Sequence, residues 1–167
     1  MKTILLGLVL ILCACNQQEV PVDIGAENWA SRKAALPVGD SLEYGKSYLS
    51  VYSQMYSFSQ NQKYSLTGMV SLRNVSETDT IYFLRADYFN TGGEKIRTYF
   101  DFPISVLPME TLEIVIAQKD VEGGTGSNFL FEWMTPRDCP EPLFEGLMNS
   151  MEGNQGVSFT TYARRVE

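Results

Sequence analysis

Hydrophobic and polar residues alternate along most of the chain beyond residue 48. The clearest example is Tyr64–Arg73, where Leu66, Val70 and Leu72 share one face and the residues of the other face, apart from Met69, are polar. A period of two residues predicts half-buried β-strands. Strands are also predicted over residues 48–58, 82–88, 96–100, 111–116, 129–133 and 157–161.

Turn signals separate these strands. Asn90-Thr91-Gly92-Gly93 has the composition of a hairpin turn between two of them. About seven short strands with turns between them predict an all-β fold, an antiparallel immunoglobulin-like β-sandwich. Residues 142–151 are the one segment that could form a helix in place of a strand, because Leu143, Leu147 and Met151 also fit a helical stripe. The pattern leaves helix and strand open there.

The first residues have a different pattern. Lys2 precedes an apolar run from Ile4 to Leu12, which is typical of a secretory signal peptide and too short for a membrane span. The tetrad Leu12-Cys13-Ala14-Cys15 also resembles the lipobox of bacterial lipoproteins. That resemblance implies removal of residues 1–14 and lipidation of Cys15, with palmitate among its acyl chains. An ordinary signal peptide with an incidental Cys15 is the alternative.

Domain organisation and location follow from this beginning. We expect a lipidated tether over residues 15–42 and a single β-sandwich domain over residues 43–167. Trp29 within the tether either docks on the domain or is exposed. Acyl chains would hold the protein to the membrane of a bacterial cell envelope. Position 16, directly after Cys15, is asparagine and not the aspartate that retains some lipoproteins at an inner membrane. The outer membrane is therefore preferred, and the sequence does not decide which face of that membrane holds the protein.

Charge and residue counts limit the chemistry. The chain has 20 acidic and 13 basic side chains and a net charge of −7. This acidic balance argues against nucleic-acid partners and against electrostatic docking on anionic lipid. The chain has no histidine, which excludes histidine-dependent nucleophile pairs and histidine metal sites. Once Cys13 is removed and Cys15 is lipidated, Cys139 has no partner for an internal disulfide, and a partly buried structural thiol is favoured over a reactive one.

The most unusual stretch is the glycine loop, residues 122–128, with the sequence Glu-Gly-Gly-Thr-Gly-Ser-Asn. No lysine follows its glycines and a strand comes next, so it is not a phosphate-binding Walker loop. The favoured interpretation is a tight turn that needs Gly123, Gly124 and Gly126 for their backbone angles, with Asn128 as a cap. A loop that binds a ligand through its amides, and a weak calcium site at Asp120 and Glu122, are the alternatives.

A second candidate site is a row of tyrosines. If residues 48–58 form one extended strand, Tyr48, Tyr52 and Tyr56 lie on one face and could stack on sugars or contact a partner. The alternative, which we favour, is that these rings form part of the core.

Carboxylate chemistry is the remaining route to catalysis. Asp87, Asp101, Glu113 and Glu132 lie in or beside strands, and a glycosidase needs two carboxyl groups about 5–10 Å apart across a cleft. Solvated strand faces account for these residues equally well. No catalytic residue, cofactor or definite metal site is predicted.

Several motifs together resemble those of a family. They are VYSQMYSF at residues 51–58, YSLTGMVSLRN at 64–74, the segment at 87–111, GGTGSNFLFEW at 123–133 and NQGVSF at 154–159. In order and spacing they are similar to uncharacterised bacterial secreted proteins and lipoproteins that share a domain of unknown function. The resemblance implies an envelope domain without an established activity. We therefore expect a non-enzymatic binding or interaction module for an envelope protein or glycan, with a carboxylate-dependent hydrolase of envelope glycans as the alternative.

Overall fold

The computed structural model describes residues 27–38, 42–151 and 156–167. The described chain has one short 3₁₀ helix, η1 (Trp29–Arg32), and twelve β-strands. The strands are β1 (Leu42–Ser50), β2 (Gln54–Ser57), β3 (Ser59–Ser65), β4 (Thr67–Arg73), β5 (Ile81–Phe89), β6 (Lys95–Phe100), β7 (Ile104–Val106), β8 (Thr111–Ile116), β9 (Asn128–Pro136), β10 (Leu143–Ser150), β11 (Val157–Tyr162) and β12 (Arg164–Arg165).

The strands form a sandwich of two antiparallel sheets and a separate hairpin. The first sheet has the order β12-β1-β9-β5-β6, with β7 paired to the other half of β5. The second sheet has the order β11-β10-β4-β8. Strands β2 and β3 pair only with each other as a two-stranded sheet. The predicted all-β antiparallel sandwich is confirmed, although short strands such as β7 and β12 raise the number above the predicted seven.

Aromatic side chains fill the space between the two sheets. Phe144 of β10 stacks on Phe131 of β9 with 4.4 Å between ring centroids, and it also contacts Phe83 of β5 at 5.3 Å. Phe129 continues this column beside Phe131 and stacks on Tyr88 at 4.6 Å. All five side chains are almost fully buried. Burial of this much apolar surface is the main stabilising contribution to such a fold.

The segment 142–151 is a strand. Leu143–Ser150 forms β10, which pairs with β4 on one side and β11 on the other. Phe144 and Met148 point into the core, whereas Leu143 is exposed. Leu143, Leu147 and Met151 are four residues apart, a spacing that keeps residues on one face of a strand as well as close together on a helix, and pairing with two neighbouring strands decided the conformation.

The prediction of one continuous strand over residues 48–58 is wrong. Strand β1 ends at Ser50, and β2 begins at Gln54 in a different sheet. Between them, Val51 N–H donates to the Ser127 carbonyl at 3.0 Å, and Ser53 N–H donates to the Gly124 carbonyl at 3.1 Å. These bonds to a loop distant in sequence redirect the chain, so local alternation could not show the break.

Residues 29–34 lie against the sandwich. The Trp29 ring packs on Phe100 with 4.9 Å between centroids, so the docked alternative for Trp29 is the observed one. Lys33 forms an isolated bridge with Ile104, and Arg32 binds Glu110 at 2.7 Å. The predicted signal peptide, Cys15 and the first part of the tether lie outside the described residues. None of the described helical residues form a helix long and apolar enough to cross a membrane.

The sandwich has two distinct ends. The hairpin end carries the β2–β3 hairpin, the glycine loop and the turn at residues 90–94, and bonds such as Ser53 N–H to Gly124 C=O join them. The tether end carries the loops at residues 74–80 and 107–110, together with η1. It is joined by Met109 N–H to the Ser76 carbonyl at 3.1 Å and by the Arg32–Glu110 ion pair.

Candidate functional site

The glycine loop closes over a buried chain of hydroxyl groups. Ser127 donates to the Val51 carbonyl at 2.6 Å, and Tyr88 donates to Ser127 at 3.1 Å. Since the Tyr88 proton is used in that bond, Ser53 donates to the Tyr88 oxygen at 2.8 Å. Ser53, Tyr88 and Ser127 are all fully buried or nearly so. Burial raises the pKa of Tyr88, and its hydrogen bonds to Ser127 and Ser53 offset part of that rise.

Gly123 and Gly124 are required for different reasons. A Cβ at Gly123 would overlap the Tyr88 hydroxyl and crowd Ser53 and Ser127, so this position is glycine because the backbone approaches the hydroxyl chain closely. Gly124 has φ = 74°, in the left-handed region that favours glycine. Only one of the three predicted glycine angles in this loop, that of Gly124, is therefore left-handed.

Thr91 ties the glycine loop to the neighbouring turn. Its hydroxyl donates to the Gly123 carbonyl at 3.0 Å and accepts from Gly126 N–H at 2.9 Å. Thr91 N–H also donates to the Gly123 carbonyl at 3.0 Å. Asn128, predicted as the cap, is instead the first residue of β9 and pairs with Ser50 and Phe89. Sequence reasoning missed Thr91, whose position in the turn Asn-Thr-Gly-Gly was the available signal.

Two amides of the glycine loop, those of Gly124 and Gly126, are engaged within the protein. Gly124 N–H donates to the Val121 carbonyl at 3.1 Å, and Gly126 N–H is held by Thr91. The Gly124 carbonyl accepts from both Ser53 N–H and Gln54 N–H. The geometry therefore supports the turn interpretation of the glycine loop, with the additional role of fixing the base of the β2–β3 hairpin.

The weak calcium candidates are paired with an arginine. Arg97 Nη1 lies 2.9 Å from Asp120 Oδ2, and Arg97 Nη2 lies 3.5 Å from Glu122 Oε2. Arg97 also donates to the Tyr99 hydroxyl at 3.1 Å. Burial lowers the pKa of Arg97, but the bonds to Tyr99 and Asp120 outweigh it, so this pKa is raised overall. Among the residues that the structure describes, no three acidic or cysteine side chains are grouped as metal ligands.

The predicted tyrosine row is divided among three environments. Tyr48 lies in β1 opposite Leu130 and Arg164, and Tyr52 meets the Phe159 ring edge-on at 5.8 Å. Tyr56 lies on the hairpin and is 52% exposed. The rings therefore form neither one ladder nor one half of the core, because the chain bends between β1 and β2.

The hairpin is the most exposed aromatic element of the described chain. Phe58 at its tip is 88% exposed and has φ = 57°. A positive φ is uncommon for a large side chain and costs free energy. Lys63 Nζ lies 5.2 Å from the centre of the Tyr56 ring, and the other residues of β3 near the tip are uncharged and exposed, namely Ser59, Gln60, Asn61 and Gln62.

Two of the four candidate carboxylates belong to a charged row on the outer face of the first sheet. Asp87 binds Arg85 at 2.8 Å and Lys95 at 3.6 Å, and it accepts from the Thr98 hydroxyl at 2.6 Å. Glu132 faces Lys46 at 3.8 Å across β9 and β1. Asp101 and Glu113 are exposed. Cation pairing of Asp87 and Glu132 accounts for their places in the strands.

Cys139 is partly buried and free, as predicted. Its sulfur lies 3.5 Å from the Pro140 carbonyl oxygen. Burial raises its pKa, and a hydrogen bond with Ser76 opposes that shift. A raised pKa disfavours the thiolate, which is the reactive form.

The comparisons with known proteins identify the family. Residues 44–166 match the family described as Protein of unknown function (DUF3124), and the chain belongs to that family. No curated protein matches the sequence. The fold is similar to a crystal structure described as Thermotoga maritima 1070, with 10% sequence identity and a TM-score of 0.45. That similarity covers 72% of this chain and 92% of the other.

Proposed function

We propose that this protein is a lipid-anchored binding module of the bacterial cell envelope, and that the β2–β3 hairpin is the element that contacts its partner. The observation that carries the proposal is the hairpin itself. It pairs with neither sheet of the sandwich, and it presents Phe58 and Tyr56 to solvent. Large exposed aromatic side chains are enriched in binding surfaces, where they bury much area at little entropic cost.

The base of the hairpin supports this role. Gly124 C=O accepts from Ser53 and Gln54, and Ser53 C=O accepts from Leu66 N–H at 2.8 Å. The base of the hairpin is thus closed by a bond between its own two ends and is fixed to the glycine loop. A fixed base reduces the conformational entropy lost on binding. The backbone strain at Phe58 is consistent with a functional requirement at the tip.

The orientation relative to the proposed anchor also fits. Glu27, the first described residue, binds Arg32 at the tether end, whereas Phe58 lies at the hairpin end. In a chain lipidated at Cys15, the hairpin would then lie at the end of the sandwich opposite to the tether end. The alternative function, a glycan hydrolase, lacks a comparable observation because Asp87 and Glu132 are paired with cations.

Lipidation is tested by metabolic labelling with palmitate. The parent chain should incorporate label, and Cys15→Ser should not. Equal labelling of the two chains would contradict lipidation of Cys15.

Binding is tested by thermal unfolding of the chain from Asn16 onward with cell-wall oligosaccharides. A ligand at about 100 times its Kd adds about 2.7 kcal/mol of stability. A shift that Phe58→Ser and Tyr56→Ser abolish would identify the hairpin as a glycan-binding element, and product analysis would detect hydrolysis. Tyr162→Ser is the matched control, because Tyr162 is 60% exposed and lies toward the tether end.

A protein partner is tested by photo-crosslinking in cells with a photoreactive phenylalanine at position 58 or 162. Specific adducts from position 58 that are absent from position 162 would support a protein partner. If the thermal shift does not depend on the hairpin and position 58 gives no adduct, the proposed role of the hairpin is contradicted.

A further inference from the structure

An apolar patch lies at the tether end. Its members are Val75, Leu107 and Met109, which are 38%, 59% and 65% exposed. They come from two adjacent loops, joined by Asn74 Nδ2 to the Leu107 carbonyl at 3.0 Å and by Met109 N–H to the Ser76 carbonyl. We call these three residues the tether-end patch.

The turn that carries Leu107 and Met109 is held by several bonds. Leu107 N–H donates to Glu110 Oε2 at 2.8 Å, and Glu110 N–H donates to the Leu107 carbonyl at 3.0 Å. Met109 has φ = 60°. The two exposed apolar side chains are therefore displayed on a fixed turn, so little ordering is needed when they contact another phase.

The N-terminal segment meets the protein at the same turn. Arg32 binds Glu110 Oε1 at 2.7 Å and Glu27 at 2.6 Å. The chain from Glu27 back to Cys15 has twelve residue steps, which span at most about 40 Å when extended. A membrane anchor at Cys15 therefore limits how far the turn that carries Leu107 and Met109 can lie from the lipid surface.

We propose that the tether-end patch inserts into the interface of the membrane that holds Cys15, so that the domain rests on the bilayer with the hairpin directed outward. This inference rests on the proposed lipidation. The tether makes the contact intramolecular, and a high effective concentration lets a small apolar patch remain engaged. Exposed Glu77 beside Val75 and the acidic net charge disfavour anionic lipid, so zwitterionic phospholipid is the expected surface.

The test uses the full lipidated protein in vesicles of phosphatidylcholine and phosphatidylethanolamine. Leu107→Trp and Met109→Trp place a fluorophore in the patch, and phospholipids brominated near the headgroup quench a tryptophan that contacts them. Phe58→Trp is the matched control, because it replaces an exposed aromatic residue at the opposite end. Emission is compared with that of the parent chain, which contains Trp29 and Trp133.

We expect the additional emission from positions 107 and 109 to fall at least twofold with brominated lipid, and that from position 58 to be unchanged. A chain that does not float with vesicles would overturn both the lipidation and the contact. A chain that floats while positions 107 and 109 are unquenched would overturn the contact alone. Equal quenching at all three positions would also overturn the contact. Urea denaturation midpoints that match the parent chain verify that each variant is folded.

Discussion

The hydroxyl group of Tyr88 occupies the space that a Cβ at Gly123 would need. Tyr88 belongs to β5 and Gly123 to the loop before β9, so this contact fixes how closely the glycine loop lies on the sandwich. The loop in turn holds the base of the β2–β3 hairpin through the Gly124 carbonyl. A substitution at Gly123 therefore tests whether the loop is a structural clamp.

Gly123→Ala should lower the free energy of unfolding by about 2 kcal/mol, because the added methyl group displaces the Tyr88 hydroxyl or the loop. The measurement is urea denaturation. Gly126→Ala is the matched control, since its nearest neighbour, Thr91 Cγ2, lies 3.4 Å from the added Cβ. In a Tyr88→Phe background the cost of Gly123→Ala should fall by about 1 kcal/mol. Equal costs in the two backgrounds would refute the proposed clash.

Gly45→Ala should destabilise the first sheet. A Cβ at Gly45 would overlap the indole ring of Trp133, which is buried and donates to Ser47 Oγ at 3.0 Å. We expect a loss of about 3 kcal/mol and a change in tryptophan fluorescence, because the ring must move. Gly68→Ala serves as the control, since its nearest neighbour is at 3.4 Å. If the two variants unfold at the same urea concentration, the predicted close packing on Trp133 is wrong.

Asn74→Ala should be strongly destabilising for a polar substitution. The buried Asn74 amide donates to the carbonyls of Asp79, Val106 and Leu107, at distances of 2.7 to 3.0 Å. Its removal takes a donor from these three carbonyls, and the bond to the Val106 carbonyl is a buried one between elements of the two sheets, so the loss costs about 3 kcal/mol. Asn61→Ala, on the exposed face of the hairpin, should change stability by less than about 0.5 kcal/mol. Comparable effects at both sites in thermal unfolding would contradict the bridging role.

Glu110 should make stability depend on acidic pH. Burial raises its pKa, but Leu107 N–H and the Arg32 guanidinium outweigh burial and hold the pKa below its ordinary value. The folded state therefore favours the ionised carboxylate. Its stabilising contribution is present above the unfolded-state pKa and is lost as pH falls through the lower folded-state pKa.

Glu110→Gln should lower the free energy of unfolding at neutral pH by about 1 kcal/mol, and the difference from the parent chain should vanish at a pH below both pKa values. Urea denaturation across the acidic range measures this. Glu77→Gln, at an exposed position in the neighbouring loop, is the control and should follow the parent chain. A Glu110→Gln deficit that persists at the lowest pH would contradict the ionic contribution.

Local pattern was sufficient for most of the fold. Residues 111–116 and 129–133 were predicted as strands and lie in β8 and β9, and the turn predicted at Asn90–Gly93 is observed, with Gly93 at φ = 81°. Strand alternation and turn chemistry are properties of neighbouring residues, so a single sequence contains them. Residues 142–151 were also predicted to form an element, although the pattern left its conformation open.

The candidate site depended on contacts between distant residues. The sequence determined an antiparallel sandwich, an acidic chain without histidine and the presence of a glycine loop. Only the tertiary structure decided that the Gly124 carbonyl bends the chain after Ser50, that Tyr88 requires glycine at position 123, and that the resulting hairpin exposes Phe58. These features arise where separate strands converge, and the alternation within any one strand carries no information about which loop its end will meet.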